Sequence, residues 1–527
     1  MEHDGWQALT PRGRATFWGA VLALLLCHVV AAWLVRPPIL SPDSNDDGLY
    51  LILGQSLQGG HYRDTHVVGQ PAQAQYPPGL PLLLAVALAV HESVASANVL
   101  TILLSALGLL AITELARRLT GPWPALLLLA ALALNPLLLD FAGHVYSEPP
   151  FIAALLASVL VITAWPDRRW TPAVAGGLAI YAALTRSAGI GLPAAIVAVL
   201  LLRGQRRAAL LVGLAALLLL GAWFAWTARA PEKVVERSYM AVMALPAHNP
   251  LPASQILRNR LMSGFQDYVQ RLLLVGSNVP TVEGTALDNI AWLGLLGGLT
   301  LVGLVALLRR AVAVPLAVGA YYLILVAYPF RVLRFGMPVL PLLLLSTVVG
   351  LGVALQRRPR WLLPALLLLL GPIALQDGVD AAHRLAASRA CRAAARDGMA
   401  CFTPVAQDFL KAAAYARDSL PGEGAVVTVK EAVFARYTGR RVLHPQVVLG
   451  YGKADPVAFM TGRGVRYVLF SGYPGGAWLR DLLAPHCTAL ALVHDVGRST
   501  FFLSLEPPAA GRPNACGALA RTLPENP

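Results

Sequence analysis

Charge is scarce in this chain of 527 residues: only 13% are Asp, Glu, Lys or Arg, while 57% are hydrophobic. The runs Val21–Val35, Ala208–Trp226 and Leu362–Leu375 carry no Asp, Glu, Lys or Arg at all. A soluble core has no need of such segments, whereas crossing a hydrocarbon layer takes roughly 20 mostly apolar residues. A small-residue cleavage pattern is also missing after Arg36-Pro37-Pro38, so the first apolar run reads as a retained helix and not as a signal peptide. No internal repeat stands out.

Acid is scarcer than base, 28 residues against 42, for a formal charge of +14. That excess is not laid out as the continuous basic stripe that a nucleic acid requires, so no nucleic-acid partner is expected. It falls in short clusters between apolar runs: Arg12/Arg14, Arg117/Arg118, Arg168/Arg169, Arg203/Arg206/Arg207, Arg309/Arg310 and Arg357/Arg358/Arg360. The positive-inside rule places all of them in the cytoplasm. Spans at about 17–35, 94–115, 122–139, 150–166, 171–186, 188–203, 208–227, 290–308, 311–329, 336–355 and 362–377 then alternate without a violation. The expectation is a polytopic α-helical membrane protein of about eleven transmembrane helices, with a cytoplasmic N-terminus. Pro81–Val90 is too short for a further span and reads as a half-embedded interfacial helix.

This topology puts three segments outside besides the tail: a first loop (36–93), a turn (140–149) and a second long loop (228–289). In the second loop Leu261, Phe265, Tyr268, Leu272 and Leu273 recur at helical spacing, as on a helix lying along a membrane surface. Composition turns ordinary after about residue 378, which divides the chain into a membrane domain (1–377) and an extracytoplasmic α/β domain (378–527) of short apolar runs and helical stretches. Four of the five cysteines, Cys391, Cys401, Cys487 and Cys516, fall in that tail, an even number suited to an oxidising compartment. Three pairings or four free thiols are open to them, and Cys391–Cys401 with Cys487–Cys516 is the pairing expected.

Chemistry is to be sought in the outer segments. Ser44-Asn45-Asp46-Asp47-Gly48-Leu49-Tyr50 opens a helix at about 45–57. Ser44 with Asp47 three residues on reads as a capping start. Asp46 instead shares the apolar face of Leu49, Tyr50 and Leu53, where a carboxylate is part-desolvated and suited to accept a proton, provided no cation lies close. His144-Val145-Tyr146-Ser147-Glu148-Pro149-Pro150, with Asp140 before it, is either a capped helix start or an ionisable group held at membrane depth for function. Arg186, and Arg331 with Arg334 in Tyr328-Pro329-Phe330-Arg331-Val332-Leu333-Arg334, sit at outer helix ends against the charge bias. Snorkelling is one account of them, and an anionic lipid partner is the other.

Asp46-Asp47-Gly48-Leu49-Tyr50-Leu51 resembles the acidic first-loop signature of the GT-C glycosyltransferases, in the branch with protein O-mannosyltransferases and the aminoarabinose transferase ArnT. Gln75-Tyr76-Pro77-Pro78-Gly79 resembles that branch's Tyr-Pro-Pro-Gly corner, Tyr146-Ser147-Glu148-Pro149 its Ser-Glu-Pro turn, and Arg334-Phe335-Gly336-Met337-Pro338 its Arg-Tyr-x-x-Pro motif. The four occur in order over about 40–350. The resemblance implies a glycosyltransferase, hexosyl or pentosyl, that moves a monosaccharide from a polyprenyl-phosphate-linked donor to a hydroxyl on a glycan, lipid or protein, on the outer face of a bacterial inner membrane. It implies inversion with Asp46 as general base and a place for Glu148 in the site, and the substrate site expected with them is shared by Asp47, Tyr50, Tyr76, His144, Arg186, Arg331 and Arg334. Some relatives bring a carboxylate to the Pro-Pro corner for a divalent cation, whereas Gln75 and Tyr76 stand there in this chain, which puts metal use in question. The competing reading is a transporter or flippase of a lipid-linked or anionic solute, which the missing repeats disfavour.

Overall fold

The computed structural model of the chain describes residues 9–229, 252–279, 286–328, 332–394, 397–473, 475–497, 499–511 and 513–521. Arg331 and part of the second outer loop lie outside these residues. The helices follow the apolar runs and stop where the chain offers caps, prolines or charge. α1 (Pro11–Val35) begins at Thr10, whose side chain accepts the N–H of Gly13, and carries Pro11 in its first turn where no N–H is needed. α2 (Asn45–Gln58) and α3 (Gly79–Val90) belong to the first loop. Next come α4 (Val94–Thr120), α5 (Pro122–Ala133), α6 (Pro136–Gly143), α7 (Glu148–Ala164), α8 (Thr171–Thr185), α9 (Gly191–Leu202) and α10 (Arg206–Arg229). α11 (Ala253–Phe265), α12 (Ala286–Arg310), α13 (Ala313–Ala327), α14 (Leu333–Gly336), α15 (Leu340–Ala354) and α16 (Leu362–Ala394) complete the helical body.

By length and composition six described helices can cross a membrane: α1, α4, α10, and the segments Ile290–Arg310, Leu333–Ala354 and Pro359–Ala394. The span expected at 122–139 is broken: α5 and α6 meet at 63°. Asn135 causes the break, because its side-chain oxygen accepts the N–H groups of Leu137 and Leu138 while its amide donates to the Gly276 carbonyl at 3.0 Å. The remaining expected spans correspond to shorter apolar helices of 10–17 residues, Glu148–Ala164, Thr171–Thr185, Ser187–Leu202 and Ala313–Val326. α3, about 18 Å long at 1.5 Å per residue, buries Leu80, Leu84 and Leu88 and exposes Leu82, Val86 and Val90. That is the pattern of a helix packed on protein along one face and immersed in apolar surroundings along the other.

Three further expectations change. Asp140 sits within α6 and not at the start of a turn. The second loop does not simply lie along the membrane: Leu261 is exposed, but Tyr268, Leu272 and Leu273 are buried in the helical core. The boundary drawn at 377/378 falls inside α16, which runs unbroken to Ala394.

The tail adds α17 (Pro404–Asp418) and α18 (Glu431–Thr438) to a five-stranded sheet of β1 (Ala425–Val427), β2 (Val442–Leu443), β3 (Val465–Phe470), β4 (Ala491–Gly497) and β5 (Thr500–Ser504). The order is β2-β1-β3-β5-β4, with β1 parallel to both its neighbours and the β3-β5-β4 side antiparallel. Disulfides join Cys391 to Cys401 and Cys487 to Cys516. The tail is built onto the first loop. Val67 extends the β2 edge as a parallel bridge to Val442, and Leu40, Tyr50 and Leu51 share a core with Phe409, Val433 and Phe434.

The contact that matters most for the site is α18 against α2. Gly48 lets the backbones meet, since a Cβ there would stand 2.9 Å from the Val433 nitrogen and 3.0 Å from the Ala432 carbonyl carbon. Asn45 accepts the Ala432 N–H at 3.1 Å, and Lys430 donates to the Asp43 carbonyl at 2.9 Å. A Gly48→Val substitution should therefore separate the two elements, at a cost of about 1–3 kcal/mol typical of overpacking. Thermal melting and limited proteolysis of the tail would show a lower midpoint and faster cleavage; an unchanged profile would contradict the close packing.

Candidate functional site

Two serines expected to cap helices are used differently. At the start of α2 the Ser44 side chain makes no capping bond; its hydroxyl donates to Asp47 Oδ1 at 3.2 Å. At the start of α7 the Ser147 hydroxyl likewise caps nothing and accepts a hydrogen bond from Arg186 Nη1 at 2.9 Å. Both turns spend their polar side chains on ionisable partners.

Glu148 stands at the centre, with its side chain fully buried. Arg186, at the end of α8, approaches its Oε1 at 2.7 Å. Arg334 in α14 grips both carboxylate oxygens, through Nε to Oε1 and through Nη2 to Oε2 at 3.0 Å. A third Arg334 contact reaches Asp46 Oδ2 at 2.9 Å, and the Tyr76 hydroxyl donates to the other Asp46 oxygen at 3.1 Å. Asp46, Glu148, Arg186 and Arg334 thus form one network of two negative and two positive groups. The guanidinium of Arg334 also lies 3.9 Å above the Tyr146 ring, which stacks on His144 at 4.9 Å, while Tyr50 meets Tyr76 edge to face. Arg186 keeps one buried donor, Nε, without a hydrogen-bond partner among the described residues.

The structure therefore brings together Asp46, Tyr50, Tyr76, Glu148, Arg186 and Arg334, with Asp47 and His144 immediately behind. Arg331 lies outside the described residues. The condition attached to Asp46 is not met, because the cation expected to be absent is Arg334. The carboxylate with a displaced pKa is Asp47: burial, with Asp46 adding repulsion, pushes it up to about 6, against the opposing pull of His144, Ser44 and Arg334. For His144 burial disfavours the charge, but Asp47 and Asp140 outweigh it and hold the imidazole above its ordinary value.

Beside the network lies a cavity of about 370 Å³. Asp46, Tyr76, Ser147, Arg186 and Arg334 line its polar end. Its apolar walls come from Trp223 and Phe224 of α10 and from Ile324, Leu325 and Tyr328 at the end of α13. Leu217, Leu218 and Leu323 on the same two helices are exposed, as on surfaces that face lipid. The Pro-Pro corner packs closely on the end of α8: a Cβ on Gly79 would meet Thr185 Oγ1 at 2.4 Å and the Leu184 carbonyl oxygen at 2.7 Å, next to Arg186.

Sequence reading missed Tyr146 and Ser147 as partners of the arginines, although both lie in the turn it singled out. It also missed Lys430, whose charge acts on Asp43 and Asp46 from the tail; no sequence signal marks it, because the connection spans almost four hundred residues. Among the described residues no group of three or more His, Cys, Asp or Glu is placed to hold a metal ion. The two Asp46 oxygens are engaged by a guanidinium and a phenol.

No protein-family model matches the chain, and no curated protein is similar to it in sequence. Similarity is found among solved structures. ArnT from Cupriavidus metallidurans in the apo state superposes with a TM-score of 0.58 at 14% identity, covering 94% of this chain and 100% of that one. The same protein bound to undecaprenyl phosphate gives 0.56 at 15% identity, covering 93% and 98%. The Archaeoglobus fulgidus oligosaccharyltransferase tethered with an acceptor peptide gives 0.54 at 12% identity, covering 91% and 74%. The chain shares its fold with these proteins, a polytopic helical body with a C-terminal domain.

Two outcomes follow from the network. Glu148→Gln leaves the buried Arg186 without its carboxylate and Arg334 with Asp46 alone, and should cost about 3–5 kcal/mol; size-exclusion and melting profiles equal to wild type would refute the pairing. Asp47 holds its proton to higher pH folded than unfolded, so its contribution to stability is complete below pH 3.8 and lost as the pH climbs through about 6. The melting temperature of Asp47→Asn relative to wild type should accordingly rise across that window and level off above it. A pH-independent difference would contradict the burial of this carboxylate.

Proposed function

We propose that this chain, built on the GT-C fold, is a glycosyltransferase that moves a monosaccharide from a polyprenyl-phosphate donor to an acceptor hydroxyl on the outer face of the membrane. The observation that carries the reading is the cavity with Asp46, Arg186 and Arg334 at one end and walls from lipid-facing helices at the other. Such a space suits a ligand with an anionic head and a long apolar chain. The similar ArnT structure holds undecaprenyl phosphate, a ligand of this kind.

The network supports a division of labour. Arg334 and Arg186 are both held by Glu148 and both face the cavity. A donor phosphate would be bound by these two guanidinium groups, including the unspent Nε of Arg186. It would compete with Asp46 for Arg334 and leave the Asp46 carboxylate oxygens free to accept a hydrogen bond from the acceptor hydroxyl. The acceptor oxygen then attacks the anomeric carbon, its proton passes to Asp46, and the bond from that carbon to the phosphate oxygen breaks. The negative charge that develops on the departing lipid phosphate is met by Arg334 and Arg186. Direct displacement of this kind inverts the anomeric centre. Tyr76 orients Asp46, and Tyr50 supports Tyr76 edge to face.

Asp46→Asn keeps the shape and the Tyr76 contact but removes the proton acceptor. Purified variant assayed with a panel of polyprenyl-phosphate sugars should melt as wild type does, retain undecaprenyl phosphate binding, and lose transfer by a factor of about 10²–10⁴. Full transfer by a folded variant would rule out Asp46 as the base.

A further inference from the structure

Pro77 and Pro78 leave the corner that carries Tyr76 without two of its backbone donors, and residues 73–78 belong to no helix or strand. No ladder of backbone bonds sets the height or tilt of the Tyr76 ring, so its placement has to come from side chains. It comes from Gln73. The Oε1 of this buried residue accepts the N–H of Gln75 at 2.6 Å and the N–H of Tyr76 at 3.1 Å, while its Nε2 donates to Asp64 Oδ1 at 2.7 Å.

The backbone of Gln73 is held as well. Its N–H donates to the Tyr62 carbonyl at 3.1 Å, the Tyr62 hydroxyl donates to the Tyr76 carbonyl at 2.7 Å, and the Tyr76 N–H returns to Gln73. These three residues form a closed ring of hydrogen bonds that fixes Tyr76 at both its N–H and its C=O. From outside the ring the Trp226 indole donates to the Gln73 carbonyl at 2.8 Å. That bond ties the corner to α10, whose Trp223, Phe224 and Thr227 line the cavity. Every polar atom of Gln73 is thus bonded within the protein, and the residue does not itself line the cavity.

The ring bears on the chemistry through Asp46. One Asp46 oxygen is held by Arg334 and the other by the Tyr76 hydroxyl. Once a donor phosphate has drawn Arg334 away, Tyr76 is the hydrogen-bond donor left on Asp46 among the described residues. The direction in which Asp46 meets the acceptor hydroxyl then depends on where Tyr76 stands. A misplacement of about 1 Å at a reacting group costs on the order of a hundredfold in rate.

We propose that Gln73 is the positioning residue of the base: it touches no substrate, and it aims Asp46 by holding the Tyr76 hydroxyl against it. This rests on the reading of Asp46 as general base and adds the residue that directs it.

The test is a cycle of variants in a deletion strain, which supplies its own donor and acceptor. Transfer is read as the rate at which the missing sugar returns to the glycan, per amount of enzyme expressed. Tyr76→Phe should lower that rate roughly tenfold to a hundredfold, the worth of one hydrogen bond to a charged group. Gln73→Met, similar in volume but without the amide, should cause a loss of the same order, and the double variant should fall no more than twofold below Tyr76→Phe alone. Purified Gln73→Met should still bind undecaprenyl phosphate within twofold of wild type. A loss that repeats in full on the Tyr76→Phe background, a wild-type rate, or weakened undecaprenyl phosphate binding would overturn the assignment. Should Gln73→Met fail to fold, Trp226→Phe carries the same cycle: it removes the indole donor to Gln73, and its loss of about threefold should vanish on the Tyr76→Phe background, persistence there counting against the proposal. Asp46→Asn run alongside separates the two readings. Wild-type transfer by that variant, or a deletion that changes no glycan, sinks the base and Gln73 with it, whereas loss in Asp46→Asn with none in Gln73→Met sinks only the positioning role.

Discussion

A fully buried glutamate between two arginines fixes the geometry of this molecule. Glu148 opens a helix with no other charged residue, and in such a place a lone carboxylate would be untenable. Arg186 and Arg334 make it tenable, and each is in turn dependent on it. The three residues come from separate helices, so the network locks the ends of α7, α8 and α14 at one level. Asp46 joins through Arg334, which adds the first-loop helix to the same arrangement.

The tail domain acts on this arrangement at a distance. It reaches α2 from behind, through the Gly48 contact with α18, the Ala432 N–H donated to Asn45, and the hydrogen bonds from Lys430 and Tyr473 to Asp43 just before the helix. The helix that presents Asp46 to the cavity is thus held between the membrane body and the tail. A small shift of the tail would move that helix with it, which gives an otherwise unexplained domain a physical role as a support for the site.

Much of this was legible in the sequence because bilayer physics leaves few solutions. Long uncharged runs gave the helical body, and the scarcity of outward arginine made Arg186 and Arg334 conspicuous. Glu148 stood out for the same reason, as an acid at a helix start directed into an apolar run. What could not be read was pairing. The sequence suggested helix capping for Ser44 and Ser147, a rule about nearest neighbours, whereas tertiary partners claimed both hydroxyls. It also assumed that Asp46 had no cation beside it, and nothing local shows that residue 334 folds back onto residue 46. The break at Asn135 was invisible too, since the amide that stabilises it bonds a carbonyl 141 residues away. The unbroken α16 was obscured because composition changes inside a helix that continues.

The central claim is that the Glu148-bound arginines receive a lipid phosphate beside Asp46. The most direct measurement is a structure of the protein determined in lipid with undecaprenyl phosphate added. The account predicts the phosphate within hydrogen-bonding distance of both Arg186 and Arg334, the Asp46–Arg334 contact opened, and the prenyl chain running between Trp223 and Leu325. A phosphate bound away from these arginines, or one bound with the Asp46–Arg334 pair intact, would contradict it.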